Sequence, residues 1–372
     1  MKIKLSIHIL KSLLPCALLL FHPLLSLSQD RTQLRADFQR ALLRQPDTVK
    51  MVVIGDVMMH SRQILYPMET FLEDLSPLLR GADISLANME FSLGGKPYSG
   101  YPAFSAPDHY ASYIRDSLGV DVFLTANNHI LDRGSKGLER TLGIYDSLQV
   151  RHCGSYRSKE EKDATFPLII SAKGIRIALV NFTYGTNAAQ GGEYPGVCRM
   201  DEAQVKAAIQ RAKDRGADFI VALPHWGTEY SLTHSNTQQQ WARMLISQGC
   251  DAVIGSHPHV VQDTTHIDSR SVIYSLGNAV SNMSAPNTRL GLAVELCFIK
   301  DSFLGDKSVS EPQLHFLWCT LPGKLCDSYK AIEIKKWASR KGDWLDKSDY
   351  LNMIQTLERV CAATGIEYYC PL

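Results

Sequence analysis

The sequence has 372 residues, of which 45% are hydrophobic and 21% charged, a composition typical of a folded globular protein that excludes intrinsic disorder as the main state. This length fits one large domain or two of ordinary size, with enough chain for a sizeable core. Lysine and arginine number 39 and aspartate and glutamate 38, so the charge balance excludes nucleic acid or an acidic membrane as a partner held by bulk electrostatics. We therefore expect the function to depend on a local group of residues.

The N-terminal segment has the order of a secretory signal peptide. Lysines within the first eleven residues precede an uncharged run over residues 12–27, which small residues close. We predict a signal peptide at 1–28, a lead-in at 29–49, and export to the periplasm, the cell envelope or the extracellular space. An uncleaved anchor and lipidation at Cys16 are the alternatives; the run is short for a membrane span, and Pro15 stands where a lipoprotein signal needs a small residue.

The cysteines fit an oxidising compartment. The chain has nine, all but one beyond the predicted signal, and none of their spacings is a CxxC, so a structural zinc site is not expected. We interpret Cys250 and Cys297 as buried thiols, because they lie in apolar runs. Four cysteines cluster towards the C-terminus and are candidates for disulfide pairs of open connectivity: Cys319, Cys326, Cys361 and Cys370.

Short apolar runs alternate with helix-like segments from residue 50 onward. The predicted strands lie at 51–54, 84–87, 120–124, 175–180, 219–223, 252–254 and 272–276. The predicted helices between them lie at about 69–80, 108–118, 136–148, 201–215 and 237–248. Beyond residue 291 the pattern predicts strands at 292–298, 313–319 and 331–334 and a helix at about 347–363. Alternating strands and helices predict a layered α/β fold.

Polar residues that can bind metal ions follow six of these strands directly. They are Asp56, Glu90, Asn127 to His129, His225, the pair His257 and His259, and Asn278. In layered α/β folds, ligands bind beyond the carboxyl ends of the strands. We therefore predict one site at this edge of the fold.

Six of these side chains form a mixed nitrogen and oxygen donor set: Asp56, Glu90, Asn128, His225, His257 and His259. Such a set favours Mn²⁺, Fe²⁺ or Zn²⁺ over Ca²⁺ or Mg²⁺, and six donors suit two divalent ions that share a carboxylate and activate water. His257 and His259 would point the same way in an extended chain, one towards each ion. Each residue alone has a structural explanation, such as a helix cap at Asp56 or a turn at Asn128, but their coincidence at six strand ends favours a site.

The motifs around these residues resemble those of CapA-type proteins, the poly-gamma-glutamate capsule synthesis branch of the calcineurin-like metallophosphoesterases. In chain order they are Val53–Met58, Ala87–Glu90, Thr125–Gly134, Pro224–Tyr230, Gly255–Gln262 and Tyr274–Asn278. The resemblance spans residues 50–299, and the segment 300–372 is predicted to pack on this domain or to extend it.

The resemblance implies a four-layer αββα sandwich with a C-terminal extension and a metal site at the strand ends. Carried over onto this sequence, the ligands are Asp56 and His259 for the first ion, Glu90 between the ions, and Asn128, His225 and His257 for the second. His129 corresponds to the family's general acid, with Asp132 as a candidate orienting partner for its imidazole.

Two positions depart from the wider superfamily. Met58 stands where metallophosphoesterases place a histidine, and Glu90 stands where they place an aspartate. A thioether is a poor ligand for hard divalent ions, so the first ion is short of a donor. His60 is the nearest replacement if the loop is extended, and CapA-type proteins themselves commonly lack the histidine.

Four further residues in these motifs are candidate substrate contacts: Trp226, Glu229, Tyr230 and Asn278. Tryptophan and tyrosine offer a stacking face with a hydrogen-bonding edge. Core packing is the stronger interpretation of Trp226.

Together these features predict an exported, metal-dependent hydrolase that acts in the synthesis, release or processing of an anionic envelope polymer such as poly-gamma-glutamate. Its partners would be the anionic polymer or a phosphoester substrate and membrane-bound polymer synthesis machinery, with no nucleic acid. The alternative is a polymer assembly or transport component with a structural or vestigial metal site, which Met58 favours. A cysteine-based hydrolase has little support, because no cysteine adjoins the histidine cluster in sequence.

Overall fold

The computed structural model describes residues 46–301 and 305–368. The predicted signal peptide, most of the lead-in and Cys370 lie outside these residues. Among the helices of the described residues, none is both long and apolar enough to cross a membrane.

The strands in chain order are β1 (Asp47–Val57), β2 (Ile84–Met89), β3 (Val122–Leu124), β4 (Arg151–Cys153), β5 (Ser155–Tyr156), β6 (Leu168–Ala172), β7 (Ile175–Thr183), β8 (Gly196–Val197), β9 (Phe219–His225), β10 (Ala252–Ile254), β11 (Thr264–Ile267), β12 (Arg270–Ile273), β13 (Asn278–Val280), β14 (Leu290–Asp301), β15 (Asp306–Val309), β16 (Gln313–Thr320) and β17 (Lys330–Glu333). The α-helices are α1 (Ser76–Arg80), α2 (Asp108–Asp116), α3 (Gly134–Ser147), α4 (Lys159–Thr165), α5 (Glu202–Asp214), α6 (Asn236–Ser247), α7 (Ile334–Trp337) and α8 (Lys347–Thr364). Short 3₁₀ turns lie at Gln63–Leu65, Met68–Thr70, Glu73–Leu75 and Lys341–Asp343.

The larger sheet has the order β17-β16-β14-β1-β2-β3-β4, with β13 beside β1 and β15 beside β14. Strands β1, β2 and β3 are parallel, and β14 runs antiparallel to β1. Side chains of β1 alternate between two cores, because successive residues of a strand point to opposite faces. Met51 and Val53 face the core shared with the second sheet, whereas Val52 and Ile54 face the core beneath the outer helices. Both faces of this sheet are therefore covered.

The second sheet has the order β11-β12-β10-β9-β7-β6, in which β7, β9, β10 and β12 are parallel. It packs against the inner face of the larger sheet, where the rings of Phe219 and Phe298 lie 5.2 Å apart in an edge-to-face contact. The two sheets share one buried core. Their parallel strands bring several carboxyl ends to one side of the molecule.

Helices cover the outer faces of both sheets. Tyr110 of α2 and Leu142 of α3 pack on the larger sheet, and Ala208 of α5 and Leu245 of α6 belong to the core around the second sheet. This arrangement confirms the predicted α/β class and the four-layer αββα order. Strands β16 and β17 continue the larger sheet, and α8 packs on its inner face through residues such as Met353.

The described cysteines are all free thiols, so the expected C-terminal disulfides do not form among them. The sheet itself separates two of the candidates. Cys319 on β16 is buried in the core under the outer helices, whereas Cys361 on α8 packs against the core between the sheets. A thiol on each face of one sheet cannot reach the Cα separation of less than about 7 Å that a disulfide requires. Cys250 is buried as predicted, and Cys297 is partly buried.

A buried ion pair ties α8 to the larger sheet. Both terminal nitrogens of Arg289 donate to the Asp349 carboxylate at 2.6 and 2.7 Å, and the guanidinium lies 4.3 Å from the ring centre of Trp318. We expect Asp349→Ala to lower the free energy of unfolding by about 3 kcal/mol, measured by denaturant titration, because it leaves a largely buried cation unpaired. The exposed pair Arg340–Asp343 gives a matched control, and Asp343→Ala should cost less than about 1 kcal/mol. Equal losses of unfolding free energy in the two variants would contradict a stabilising role for the buried ion pair.

An acidic side chain at the end of β17 makes stability depend on pH. The Glu333 carboxylate lies 3.0 Å from His315 Nδ1 and 2.8 Å from Lys336 Nζ, and its hydrogen bond with His315, followed by that with Lys336, lowers its pKa to about 2. A lowered pKa in the folded state stabilises the fold above the ordinary pKa of 4.5, and this contribution is lost as the pH falls towards 2. Glu333→Gln should therefore lower the free energy of unfolding by about 2 kcal/mol at pH 7, with a difference that shrinks below pH 4.5. Denaturant titrations between pH 3 and 7 measure this; a difference that stays constant would contradict the prediction.

Candidate metal centre

The six predicted ligands meet where the carboxyl ends of the two sheets face each other. Asp56 lies near the end of β1 and Glu90 directly after β2, both in the larger sheet. His225 ends β9 in the second sheet, and His257 and His259 follow β10. All five of these side chains are at most 3% exposed, as is Asn128 after β3. The fold thus brings together polar groups that are far apart in the sequence.

Close backbone approach at two glycines makes this meeting of strand ends possible. A Cβ atom at Gly55 would lie 2.0 Å from the carbonyl oxygen of Gly277, to which the neighbouring Asp56 N–H donates at 3.0 Å. A Cβ at Gly255 would lie 2.1 Å from the carbonyl oxygen of Tyr274. Both positions therefore accept glycine alone.

The histidine loop after β10 is not extended. His257 and His259 have φ values of 100° and 59°, in a region that non-glycine residues rarely adopt. Their common direction therefore comes from this unusual loop and not from strand alternation, which corrects the expectation of an extended pair. The His257 N–H donates to Asp56 Oδ2 at 3.3 Å, and Tyr230 N–H donates to the Pro258 carbonyl at 2.8 Å. Backbone strain at such positions persists when the surroundings hold it, often at functional sites.

Three overlapping groups of side chains have ligand atoms within 4.8 Å of one another in the described part of the chain. They are Asp56, Glu90 and His259; Glu90, His225 and His257; and Glu229, His257 and His259. Glu90 belongs to two groups, in keeping with the shared position that the family resemblance implies for it. Asn128 adjoins the second group, because its Oδ1 lies 2.7 Å from His225 Nε2.

Several of these buried atoms have no hydrogen-bond partner. Both carboxylate oxygens of Glu90 and the Nδ1 atom of His257 are buried and unpaired, although buried polar atoms are nearly always hydrogen-bonded. Burial, followed by the charges of Asp56 and Glu229, raises the pKa of Glu90 well above its usual value. Burial lowers the pKa of His257 to about 3 and that of His225 well below its usual value. A divalent cation would bind the neutral imidazoles and balance the charge of the unpaired carboxylate. The residues therefore fit a metal centre.

Further polar side chains fix the orientation of the ligands. Asn88 Nδ2 donates to Asp56 Oδ1 at 2.7 Å, and Ser256 Oγ lies 3.0 Å from His225 Nδ1. Such contacts orient a ligand and tune its affinity. Sequence reasoning missed Asn88 and Ser256 in this role, although both stand inside motifs that it used.

His259 has a comparable partner in Asn278. Asn278 Oδ1 lies 3.0 Å from His259 Nδ1, and its Nδ2 donates to the Thr288 carbonyl at 2.9 Å. Asn278 is 1% exposed. Asn278 thus lies beside the predicted ligand His259, and its role as a substrate contact stays a prediction.

The predicted acid pair lies beside the ligands. His129 Nδ1 is 2.7 Å from Asp132 Oδ2, and the same oxygen accepts the Phe104 N–H at 2.8 Å. The ring edge of Phe104 packs against His129, with centroids 4.6 Å apart. Asp132 is thus held by the backbone and in turn orients the imidazole. Asn187, whose Nδ2 lies 3.4 Å from the ring nitrogens of His129, is a further neighbour that sequence reasoning missed.

The missing donor near Asp56 is not supplied by Met58 itself or by His60, the replacement that the sequence suggested. Met58 is 2% exposed and packs in the apolar core. The Nδ1 atom of His60 lies 3.1 Å from Gln63 Oε1 and 3.2 Å from the backbone nitrogen of Asn282, and burial lowers the pKa of His60 to about 4. His60 joins none of the candidate metal groups among the described residues, so the hypothesis that it replaces the missing histidine is not supported.

The candidate substrate contacts divide into buried and exposed residues. Trp226 is 0% exposed, and its indole N–H donates to the Tyr274 carbonyl at 2.9 Å, so it packs the core. Glu229 and Tyr230 are exposed at the mouth of the centre. Tyr184 is also half-exposed there, with its ring 4.5 Å from that of His257. Its position just after β7 is the signal that could have identified it.

Comparison with known proteins identifies a family that shares this sequence pattern. The model of the family described as bacterial capsule synthesis protein PGA_cap matches residues 50–283. The capsule biosynthesis protein CapA of Bacillus anthracis is 28% identical over 261 residues, which cover 66% of this chain and 63% of that protein. The PGA biosynthesis protein CapA of Bacillus subtilis (strain 168) is 26% identical over 294 residues, which cover 76% of each chain.

Among solved structures, a novel phosphatase from Mycoplasma pneumoniae aligns with a TM-score of 0.47 at 13% identity, covering 73% of this chain and 94% of that one. The alignment with the Bacillus anthracis protein spans less than two thirds of its length. The PGA_cap model matches well over half of the present sequence, in the region that carries the candidate ligands. The chain therefore belongs to the PGA_cap family of bacterial capsule synthesis proteins.

Proposed function

We propose that this protein is an exported, metal-dependent hydrolase that acts in the synthesis, release or processing of an anionic envelope polymer such as poly-gamma-glutamate. The observation that carries the proposal is the buried donor set with unpaired atoms on Glu90 and His257. Such atoms are costly to keep without a cation, so their retention in one cleft favours metal binding. Its similarity to the capsule and PGA biosynthesis proteins of the two Bacillus species supports a role in capsule formation.

Divalent ions at this centre would supply a water nucleophile at neutral pH and stabilise negative charge on the substrate. Asp56, Glu90 and His259 would hold one ion, and Glu90, Asn128, His225 and His257 the other. These donors are the six that the sequence predicts, with Mn²⁺, Fe²⁺ or Zn²⁺ as the fitting ions.

The remaining groups would bind and protonate the substrate. His129 is oriented through Nδ1 by Asp132, and its Nε2, which lies 3.4 Å from Asn187 Nδ2, would give a proton to the leaving group. Tyr184 and Tyr230 offer partly exposed rings at the mouth, where they can contact a substrate group beyond the scissile bond. Phosphoester and amide bonds both suit this arrangement, because each passes through an oxyanion that cations stabilise.

Metal analysis combined with a substrate panel tests the proposal. The purified protein is expected to bind about two equivalents of Mn²⁺, Fe²⁺ or Zn²⁺ and to hydrolyse a generic phosphodiester, a phosphomonoester or poly-gamma-glutamate. Chelation and the His225→Ala variant should abolish the turnover. If the metal-bound protein hydrolysed none of the three substrates, the result would contradict the hydrolase proposal.

A second candidate function is a non-catalytic component of polymer assembly or transport, with membrane-bound synthesis machinery as its partner. The observation in its favour is the apolar burial of Met58, which leaves the Asp56 group with one donor fewer than the superfamily pattern. An Asp56→Ala/His259→Ala double variant separates the two functions in cells. Polymer display that persists in this variant would favour assembly, and its loss would favour the hydrolase.

A further inference from the structure

The ion site around Asp56 has three donors from the six that the sequence predicts. Asp56, Glu90 and His259 form this group, whereas the neighbouring group of Glu90, His225 and His257 is completed by Asn128. A structural or catalytic divalent ion generally takes four or more ligands, with solvent filling positions that the protein leaves. The imbalance between the two groups raises the question of whether another side chain of this chain reaches the first ion.

Glu229 is the side chain that the fold brings beside His259, one of the three donors of this group. Its carboxylate, at the exposed mouth, has an oxygen within 4.8 Å of ligand atoms of both His257 and His259. It is also one of the charges that raise the pKa of Glu90, which places it in the field of the shared carboxylate. The Nδ1 atom of His257, a member of the same group as Glu229, is buried without a hydrogen-bond partner, as a group that holds a cation would have it.

The turn that carries Glu229 is fastened to the histidine loop. The Tyr230 N–H donates to the Pro258 carbonyl at 2.8 Å, and Gln262 Nε2 donates to the Ser231 carbonyl at 3.0 Å. Gly227 enters the turn with φ +97°, and a Cβ atom there would lie 2.8 Å from the Gln238 side chain. Glu229 is therefore attached to the same rigid unit as His257 and His259, and not to an independent surface loop.

We propose that Glu229 is a ligand of the metal centre, the donor that the Asp56 site lacks because Met58 faces the core. This inference rests on the proposed function, since it assumes that the centre holds divalent ions. The exposed Glu229 carboxylate lies beside His259, and as a hard oxygen donor it suits Mn²⁺ or Fe²⁺ better than a thioether. The turn after β9 would then provide ligands from both of its ends, His225 and Glu229.

Metal content measured on the full-length protein tests the proposal without depending on turnover. The wild type is expected to bind about two equivalents of Mn²⁺, and Glu229→Gln to hold one tightly while its affinity for the second falls by at least about 10-fold. The electron paramagnetic resonance spectrum should change from that of a coupled Mn²⁺ pair to the six-line signal of an isolated ion. Glu229→Asp, which keeps the carboxylate on a shorter side chain, should give an intermediate affinity.

The matched control is Glu139→Gln, an exposed glutamate on α3 outside the candidate metal groups, which should keep both ions at wild-type affinity. Unchanged circular dichroism in both glutamine variants shows that each has folded. Two equivalents at unchanged affinity in Glu229→Gln, even with a raised KM, would overturn the proposal and leave the proposed function standing. A wild-type protein that binds no ion would overturn both.

Discussion

Glu90→Gln is expected to stabilise the metal-free protein and to destabilise the metal-loaded one relative to wild type. Glu90 is fully buried beside Asp56, and neither of its carboxylate oxygens has a partner. Without a cation this carboxyl group is a cost to the fold, and a neutral amide of the same shape should recover about 1–3 kcal/mol. The unfolding temperature in the presence of a chelator measures this gain.

Bound metal is expected to reverse the order of stability of wild type and Glu90→Gln. A ligand that binds only the folded state stabilises it by about 4 kcal/mol at 1,000 times its dissociation constant, and Glu90→Gln should lose most of this gain because Glu90 belongs to two ligand groups. The same unfolding experiment with excess Mn²⁺ should therefore place the variant below wild type. This reversal of the unfolding temperatures is specific to a metal ligand. Substitution of an ordinary core residue would shift the unfolding temperature in the same direction with and without metal.

Glu295 provides the control for a buried glutamate in the same sheet. Its carboxylate is paired with Lys50 Nζ at 3.2 Å, and it lies outside the candidate metal groups of the described residues. Glu295→Gln should slightly lower stability with and without metal, to the same extent. A Glu90→Gln variant that behaved in this way would exclude Glu90 from the centre.

The sequence predicts the fold class and the location of the site because both depend on where the buried strands lie and end. Apolar runs of β1, β2, β9 and β10 are recognisable, and the polar residues that follow them gather wherever parallel strands end together. Asp56 and His225 reach one centre for this reason, from different sheets. The same logic missed short strands such as β4, β5 and β8, which carry too few residues for a periodic signal.

Other features depend on tertiary contacts that local patterns do not contain. The positive φ of His257 and His259 occurs in a loop whose backbone is hydrogen-bonded to the turn after β9 and to the Asp56 carboxylate. The helix predicted at 69–80 is two 3₁₀ turns followed by the five-residue α1, because Pro77 in its first turn has no N–H with which to continue the preceding turns. The free state of the cysteines depends on which face of the sheet each occupies.

His129→Ala is expected to lower kcat by about 10²–10⁴-fold while the metal content stays at the wild-type value. The imidazole lies outside the three candidate ligand groups, and Asp132 holds its Nδ1 at 2.7 Å, so we expect proton transfer to the substrate from Nε2. Asp132→Asn should cause a smaller loss, because it removes the orienting carboxylate but keeps the acid. Steady-state kinetics and metal analysis on the same preparations separate the two effects.

The leaving group distinguishes a proton donor from a residue that only shapes the pocket. A general acid matters most when the departing oxygen or nitrogen is strongly basic, so His129→Ala should lose far more activity on an alkyl ester or amide than on a p-nitrophenyl ester. Tyr184→Phe is the control, because its ring contacts are with His225 and His257, and it should change the activity on both substrates alike. Equal losses on the two leaving groups in His129→Ala would mean that the imidazole positions substrate, and the proton would then have to come from another group.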